Sequence, residues 1–438
     1  MRKYIIKTYG CQMNEHDSER MSYMLQNLDY TETDSYDDAD LIIYNTCIIR
    51  KNAELKVYGH LGAMKALKKK NPQLIIAVCG CMMQIKEARE VIREKYKHVD
   101  IVFGTKNLSS LPYLLNQFHI AHERIIDVEE TDDIDELQNA IRKNKHSAYV
   151  NIVYGCDNFC SYCIVPYTRG RENSRSNKSI LTEIRSLGIQ GYKEITLLGQ
   201  NVNSYGKDMY PPMSFSELLR QIETIGSVDR IRFLTSHPKD LGEDLIDAMR
   251  DLDKVCNHIH LPLQSGSNRI LKKMNRKYTI EEYTEKVDKL KSKIPGIAIT
   301  TDIIIGFPGE TEEDFEQTLD AIRKIRYDQV FIFKYSKRVG TGAAKMKDQV
   351  DEDIKSRRFQ QILDLVNDIC YENNSEYLGR IEKVLIEGKS KNDPDKLTGR
   401  TESNKIVHLN ADDSIIGSIV DVEITGFSSF TLEGKVAK

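Results

Sequence analysis

Apolar positions run almost unbroken through KYIIKTYG (3–10), LIIYNT (41–46), QLIIAV (73–78) and HVDIVFG (98–104), the pattern of strands buried on both faces. Between them, DSERMSYMLQNL (17–28) and NAELKVYGHLGAMKALKKK (52–70) space apolar residues at i, i+3 and i+4, a helical period. Strands alternating with helices predict a parallel sheet covered on both sides over residues 1–120. The acidic stretch DVEETDDIDEL (127–137) reads as a linker. Alternation resumes over 140–372 with six strand candidates: AYVNIVY (148–154), EITLLG (194–199), RIRFLTS (230–236), HIHLPL (258–263), AITTDIIIG (298–306) and QVFIFKYS (329–336). Helical stretches such as 179–191 and 215–226 separate most of them, which predicts a partial (β/α)6 barrel with its functional groups past the C-terminal strand ends. Over 376–438 the helical period stops. KVLIEG (383–388), KIVHL (405–409), IVDVEITGF (419–427) and FTLEGKV (430–436) predict a small β-barrel of a kind that often binds oligonucleotides.

Composition adds limits. A chain of 438 residues with 40% hydrophobic and 29% charged residues has material for two or three globular domains. Its net charge of −3 argues against a uniformly basic nucleic-acid binder, though not against a local basic face. MRKYIIKTYG holds no long apolar leader, and no apolar run approaches the ~18–20 residues that span a bilayer, so a cytoplasmic protein without a membrane is expected. In that compartment thiols stay reduced, and the nine cysteines point to metal or catalysis rather than disulfides.

Their placement sharpens this. Cys11, Cys47 and Cys81 each follow a predicted strand, where α/β sheets bind ligands. Cys81 is preferred to Cys79, which still continues its strand. Cys256 and Cys370 are expected in the core. In GCDNFCSYC (155–163), Cys156, Cys160 and Cys163 follow the first barrel strand with CxxxCxxC spacing. Thiolates suit iron–sulfur clusters, and clusters usually take four cysteines. Ile164, Val165 and Pro166 supply no fourth, so one iron of a cubane is left to bind something else. Structural zinc wants four ligands, commonly in CxxC pairs, and fits this spacing poorly.

CxxxCxxC at the head of six βα units resembles the radical S-adenosylmethionine (SAM) superfamily. The resemblance implies a [4Fe–4S] cluster whose open iron chelates SAM and whose electron cleaves it. It places SAM contacts at Tyr162 in the cysteine loop and at Gly199, Gln200 and Asn201 in LLGQN (197–201). Ser236, His237 and Gln264 close the third and fourth strands, with His237 also read as a loop cap. Gly306 and Phe307 lie in IIIGFPGET (303–311), where Gly306 and Gly309 would let the backbone approach the cofactor.

Three further separated cysteines ahead of such a barrel resemble the methylthiotransferases. TYGCQMNEHDSE (8–19), NTCIIRKNAELKVYG (45–59), CIVPYTRGRENSR (163–175) and LLGQNVNSYG (197–206) are similar to their MiaB branch, whose members modify tRNA. GRTESNK (399–405) resembles a TRAM domain. By this resemblance the first domain is flavodoxin- or Rossmann-like and holds a second, auxiliary [4Fe–4S] cluster on Cys11, Cys47 and Cys81. The last domain contacts RNA phosphates through Lys383, Arg400 and Lys405. The implied reaction adds a methylthio group to C2 of N6-isopentenyladenosine at position 37, in the tRNA anticodon stem-loop. The expected partners are that stem-loop and an electron donor such as flavodoxin or ferredoxin, with the enzyme a monomer. Threonylcarbamoyl-adenosine, a ribosomal-protein aspartate, and a redox-sensing RNA-binding protein remain the alternative readings. SKRVGTGAA (336–344) departs from the family's proline-richer turn and raises the question of the angle between domains.

Overall fold

The computed structural model describes residues 2–48, 51–128, 136 and 139–437, so most of the expected linker lies outside the described residues. The chain forms two compact units. One comprises Met1–Lys143, Val153–Asp157 and Ile164–Ser179, and the other Asn144–Ile152, Asn158–Cys163 and Ile180–Lys438. No helix among the described residues is long and apolar enough to cross a membrane.

The first unit is built on β1 (Arg2–Thr8), β2 (Tyr30–Glu32), β3 (Leu41–Thr46), β4 (Ile75–Gly80), β5 (Ile101–Phe103) and β6 (Ile125–Asp127). All pair in parallel, in the order β2-β1-β3-β4-β5-β6. Every residue of β3 and β4 is buried, as their unbroken apolar runs predict. The three-residue β2 and β6 carry too little pattern to be read from sequence, and β6 continues the sheet past residue 120. The order reverses between β1 and β3, which creates a topological switch point at their carboxyl ends. The same unit contains the short antiparallel pair β8 (Val153–Tyr154) and β9 (Asn173–Ser174).

The second unit carries the six parallel barrel strands β7 (Ser147–Asn151), β10 (Glu194–Leu198), β11 (Arg230–Phe233), β12 (His258–His260), β13 (Ala298–Ile305) and β14 (Gln329–Lys334). They form two three-stranded sheets, β7-β10-β11 and β12-β13-β14, bridged where the Ser236 N–H donates to the His260 carbonyl at 3.2 Å. Two strands are shorter than their apolar runs. AYVNIVY breaks at Ile152, and HIHLPL stops at His260 because Pro262 has no N–H for the ladder. Three covering helices start with reciprocal capping boxes, Ser214/Glu217, Thr279/Glu282 and Thr311/Asp314. The chain ends in β15 (Ile381–Lys389), β16 (Leu397–Thr401), β17 (Ile406–Leu409), β18 (Ile419–Phe427) and β19 (Thr431–Val436), a closed barrel. Val384, Ile386, Val407, Val422 and Leu432 fill it.

Candidate active site

The switch point of the first unit gathers chemistry from three loops. Gly10 has φ +126°, and a Cβ there would stand 2.7 Å from Cys47 Cβ, so only glycine lets the Cys11 turn lie against Cys47. The Cys11 and Cys81 thiols both reach Asn14 Oδ1, at 3.6 and 3.9 Å. Asn14 is held with its amide nitrogen on the carbonyls of Tyr9 and Thr46, each at 3.0 Å. Arg169 completes the group, donating to Asn14 Oδ1 at 3.0 Å and to Asp17 Oδ2 at 2.9 Å, with both ion-pair side chains buried. Burial pushes the Cys81 thiol up to about 12, against the pull of the Arg169 cation. Such a thiol gives up its proton only when a cation binds the sulfur. Cys79 lies in the opposite core layer, 3.8 Å from Met21 Sδ.

Among the described residues no group of three or more His, Cys, Asp or Glu side chains is arranged to hold a single metal ion. A cubane asks for something else, since each thiolate takes a different iron. Soft thiols around a buried cation, with an amide held in place between two of them, suit an anionic cluster of that kind.

The CxxxCxxC loop leaves β8 through Gly155, at φ +70°, where a Cβ would collide with the Arg171 carbonyl. In the first unit the Cys156 N–H donates to the Gly170 carbonyl at 3.2 Å. In the second, the Cys163 N–H donates to the Cys160 carbonyl at 2.9 Å. There the guanidinium of buried Arg276 lies 3.5 Å from Cys160 Sγ. Ser161 pins this turn to the barrel. Its N–H and hydroxyl donate to the Met274 and Lys273 carbonyls, and its own carbonyl accepts from Ala343 at 2.7 Å. The SKRVGTGAA segment is therefore seated on the cysteine loop.

Three of the expected SAM contacts share one feature at the C-terminal ends of the barrel strands. Asn201 Oδ1, Ser236 Oγ and Gln264 Oε1 are buried without a hydrogen-bond partner. Buried oxygens are seldom left so, and three past the ends of neighbouring barrel strands suit a ligand rich in N–H and O–H donors. Thr235 and Gln264 hold φ +68° and +75° there, strain that the surrounding loops impose on non-glycine residues. Gly199 and Gln200 precede Asn201 at the end of β10. Tyr162 and Phe307 pack on one apolar cluster with Ile304 and Tyr335. The Gly306 N–H is committed to Glu310 Oε2 at 2.6 Å.

His237 Nδ1 accepts from the Lys239 N–H at 3.1 Å and caps a short helical turn, as one of the two sequence readings expects. Burial, reinforced by the nearby Arg276 and lysines, lowers its pKa to about 2. The unfolded chain protonates this imidazole below its usual 6.5 while the folded chain does not. Stability is therefore lost as pH falls from 6.5, at up to ~1.4 kcal/mol per pH unit. Urea titrations at pH 7 and pH 5 should show a drop about 1–2 kcal/mol larger in the wild type than in His237→Asn. Equal drops would contradict the assignment.

The expected RNA contacts divide. Lys383 is exposed, and Arg400 is half-buried with its guanidinium 3.2 Å from Glu387. Lys405 is a correction. It is buried, ion-paired to Asp328 at 2.7 Å and lies over the Tyr377 ring, so it cannot face a phosphate. Backbone carbonyls of GRTESNK are also engaged by the radical barrel. Arg230 donates to the Arg400 and Lys383 carbonyls at 3.0 and 2.7 Å, and Arg232 to the Glu402 and Thr401 carbonyls at 2.9 and 2.5 Å. This hairpin is a latch to the radical barrel. Asn14, Arg169 and Arg276 were not singled out from sequence, although Asn14 and Arg169 stand inside the quoted motifs. Cys256 and Cys370 are buried thiols, each raised to about 11 by burial.

Comparison with known proteins agrees with this layout. Residues 150–322 match the radical SAM superfamily, 3–104 the uncharacterized protein family UPF0004, and 375–437 the TRAM domain. The first match implies a [4Fe–4S] cluster and SAM. Among solved structures, the radical SAM methyltransferase TsrM from Kitasatospora setae has a TM-score of 0.56 at 13% identity, covering 76% of this chain and 73% of its own, a likeness of fold alone. The tRNA-2-methylthio-N(6)-dimethylallyladenosine synthase of Finegoldia magna is 55% identical over 99% of this chain and 94% of its own length. That of Acetivibrio thermocellus is 56% identical over 99% and 91%. At that identity over nearly the full length, the chain belongs to the tRNA-2-methylthio-N(6)-dimethylallyladenosine synthase family of radical SAM enzymes.

Proposed function

We propose that this protein adds a methylthio group to C2 of N6-isopentenyladenosine at position 37 of tRNA, beside the anticodon. The observation that carries the reading is the second set of thiols at the switch point, with Cys11 and Cys81 on one Asn14 oxygen and Arg169 behind it.

In this reading Cys156, Cys160 and Cys163 hold the cluster that binds SAM, and Cys11, Cys47 and Cys81 hold an auxiliary [4Fe–4S] cluster. Together these groups supply one-electron cleavage of a sulfonium and a sulfur for transfer, chemistry suited to an adenine C–H that no histidine or carboxylate can usefully deprotonate. The chain's own residues do the positioning. Asn201 Oδ1, Ser236 Oγ and Gln264 Oε1 accept hydrogen bonds from SAM, with Gly199 and Gln200 beside them. Tyr162 and Phe307 supply apolar surface, while Gly306 and capping His237 shape the loops. Arg169 balances negative charge among the buried thiolates. Lys383 and Arg400 meet tRNA phosphates, which supply affinity rather than base identity. A small reductant such as flavodoxin or ferredoxin delivers electrons to a monomeric enzyme in the cytoplasm.

Nucleoside analysis of tRNA from a strain lacking the gene tests this. N6-isopentenyladenosine should accumulate as its 2-methylthio derivative disappears. Loss of a methylthio group from threonylcarbamoyl-adenosine instead, or no change in tRNA, would reject the assignment.

A further inference from the structure

The inner face of the radical barrel carries an apolar wall that the cofactor contacts leave unused. Register pairs Asp302 with Phe331 and Ile304 with Phe333, so these four side chains project from the same face of β13 and β14. The opposite face of this sheet is covered. Ile303 and Ile305 are fully buried, and Lys334 reaches the helix Glu352–Ser375 through Ser356 at 2.7 Å. The face bearing Phe331 and Phe333 is therefore the concave one. His260, one strand over, lies edge-on to Phe331 with ring centroids 5.8 Å apart and 3.5 Å from Asp302.

Phe331 and Phe333 remain 41% and 40% exposed, although they stand two residues apart inside a barrel. Large aromatics in such a place are covered in most folds, and adjacent exposed ones mark a surface that something else covers. Above them Ile304 joins the cluster that also holds Tyr162 and Phe307, so the apolar surface is continuous with the expected cofactor contacts. β14 is also an edge strand of its sheet.

We infer that Phe331, Phe333 and Ile304 form the wall that receives the isopentenyl chain of the target adenosine and thereby decide which nucleoside is accepted. The inference rests on the methylthiotransferase reading and extends it to specificity. The ligand chemistry fits: a short branched hydrocarbon gains by leaving water for an aromatic surface, and the adenine ring attached to it would lie toward Tyr162. A nucleoside with the polar threonylcarbamoyl group would place a carboxylate against phenylalanine, at a desolvation cost.

The test uses anaerobically reconstituted enzyme and two synthetic anticodon stem-loops that differ only in carrying adenosine or N6-isopentenyladenosine at the target position. Fluorescence anisotropy gives both Kd values for the wild type, for Phe331→Ala/Phe333→Ala and for Phe331→Leu/Phe333→Leu. The wild type should prefer the isopentenylated loop by about tenfold or more. The alanine pair should lose most of that preference while its Kd for the unmodified loop stays unchanged, and the leucine pair should keep most of it. Release of 5′-deoxyadenosine from SAM without RNA should be equal in all three, which shows an intact barrel. An undiminished preference in the alanine pair, or none in the wild type, overturns the inference. The nucleoside analysis is independent of either result, so a positive analysis with a failed binding test rejects this wall alone.

Discussion

Replacing Cys156, Cys160 and Cys163 together by alanine is expected to remove about four of about eight irons and to reduce 5′-deoxyadenosine release to background. Replacing Cys11, Cys47 and Cys81 together should remove a similar number of irons but leave SAM cleavage in place and abolish only methylthiolation. The asymmetry follows from where the proposed cofactor contacts lie. Asn201, Ser236 and Gln264, with their unpartnered oxygens, are all at the rim of the barrel and none is in the first unit. The first-unit thiols have a different environment, a buried Arg169–Asp17 pair and the Asn14 amide. Anaerobic iron and sulfide assays and product chromatography make both measurements on the same samples. If only one of the two triple variants loses iron, the two-cluster assignment fails.

Arg232→Met should destabilise the second unit by about 3–5 kcal/mol, the cost of removing one member of a buried charged pair. Its partner Glu194 lies 2.9 Å away, and the two side chains are 5% and 4% exposed. The same substitution removes the donors to the Thr401 and Glu402 carbonyls, two of the anchors that hold the C-terminal barrel. Urea unfolding should therefore begin earlier, and limited proteolysis should release a fragment starting near residue 376. Adding Glu194→Leu should recover part of the loss, because no carboxylate is then left unpaired. An unchanged midpoint with the barrel still protected would show that Arg232 does not hold it.

Much of the fold was legible because its signals are local. The runs in β3 and β4 are apolar for lack of any solvent-facing side, and Ser214, Thr279 and Thr311 start helices by bonding their own third residue. The same reasoning failed at β2 and β6, whose three residues take their conformation from neighbouring strands. It failed too at Lys405, since a lysine reads alike whether it faces water or Asp328.

The active site divides in the same way. Spacing along the chain singled out Cys156, Cys160 and Cys163 as expected cluster ligands, because a short loop brings near neighbours together whatever the rest of the chain does. It also put Cys11, Cys47 and Cys81 past strand ends. Only the tertiary structure decided that β1 and β3 are adjacent at a reversal of strand order, so that residues far apart in sequence share Asn14 and Arg169. Only the register of β13 and β14 put Phe331 and Phe333 on one face with Asp302 and Ile304. Strand order and register arise from contacts between distant segments, and no local pattern of polar and apolar residues encodes them.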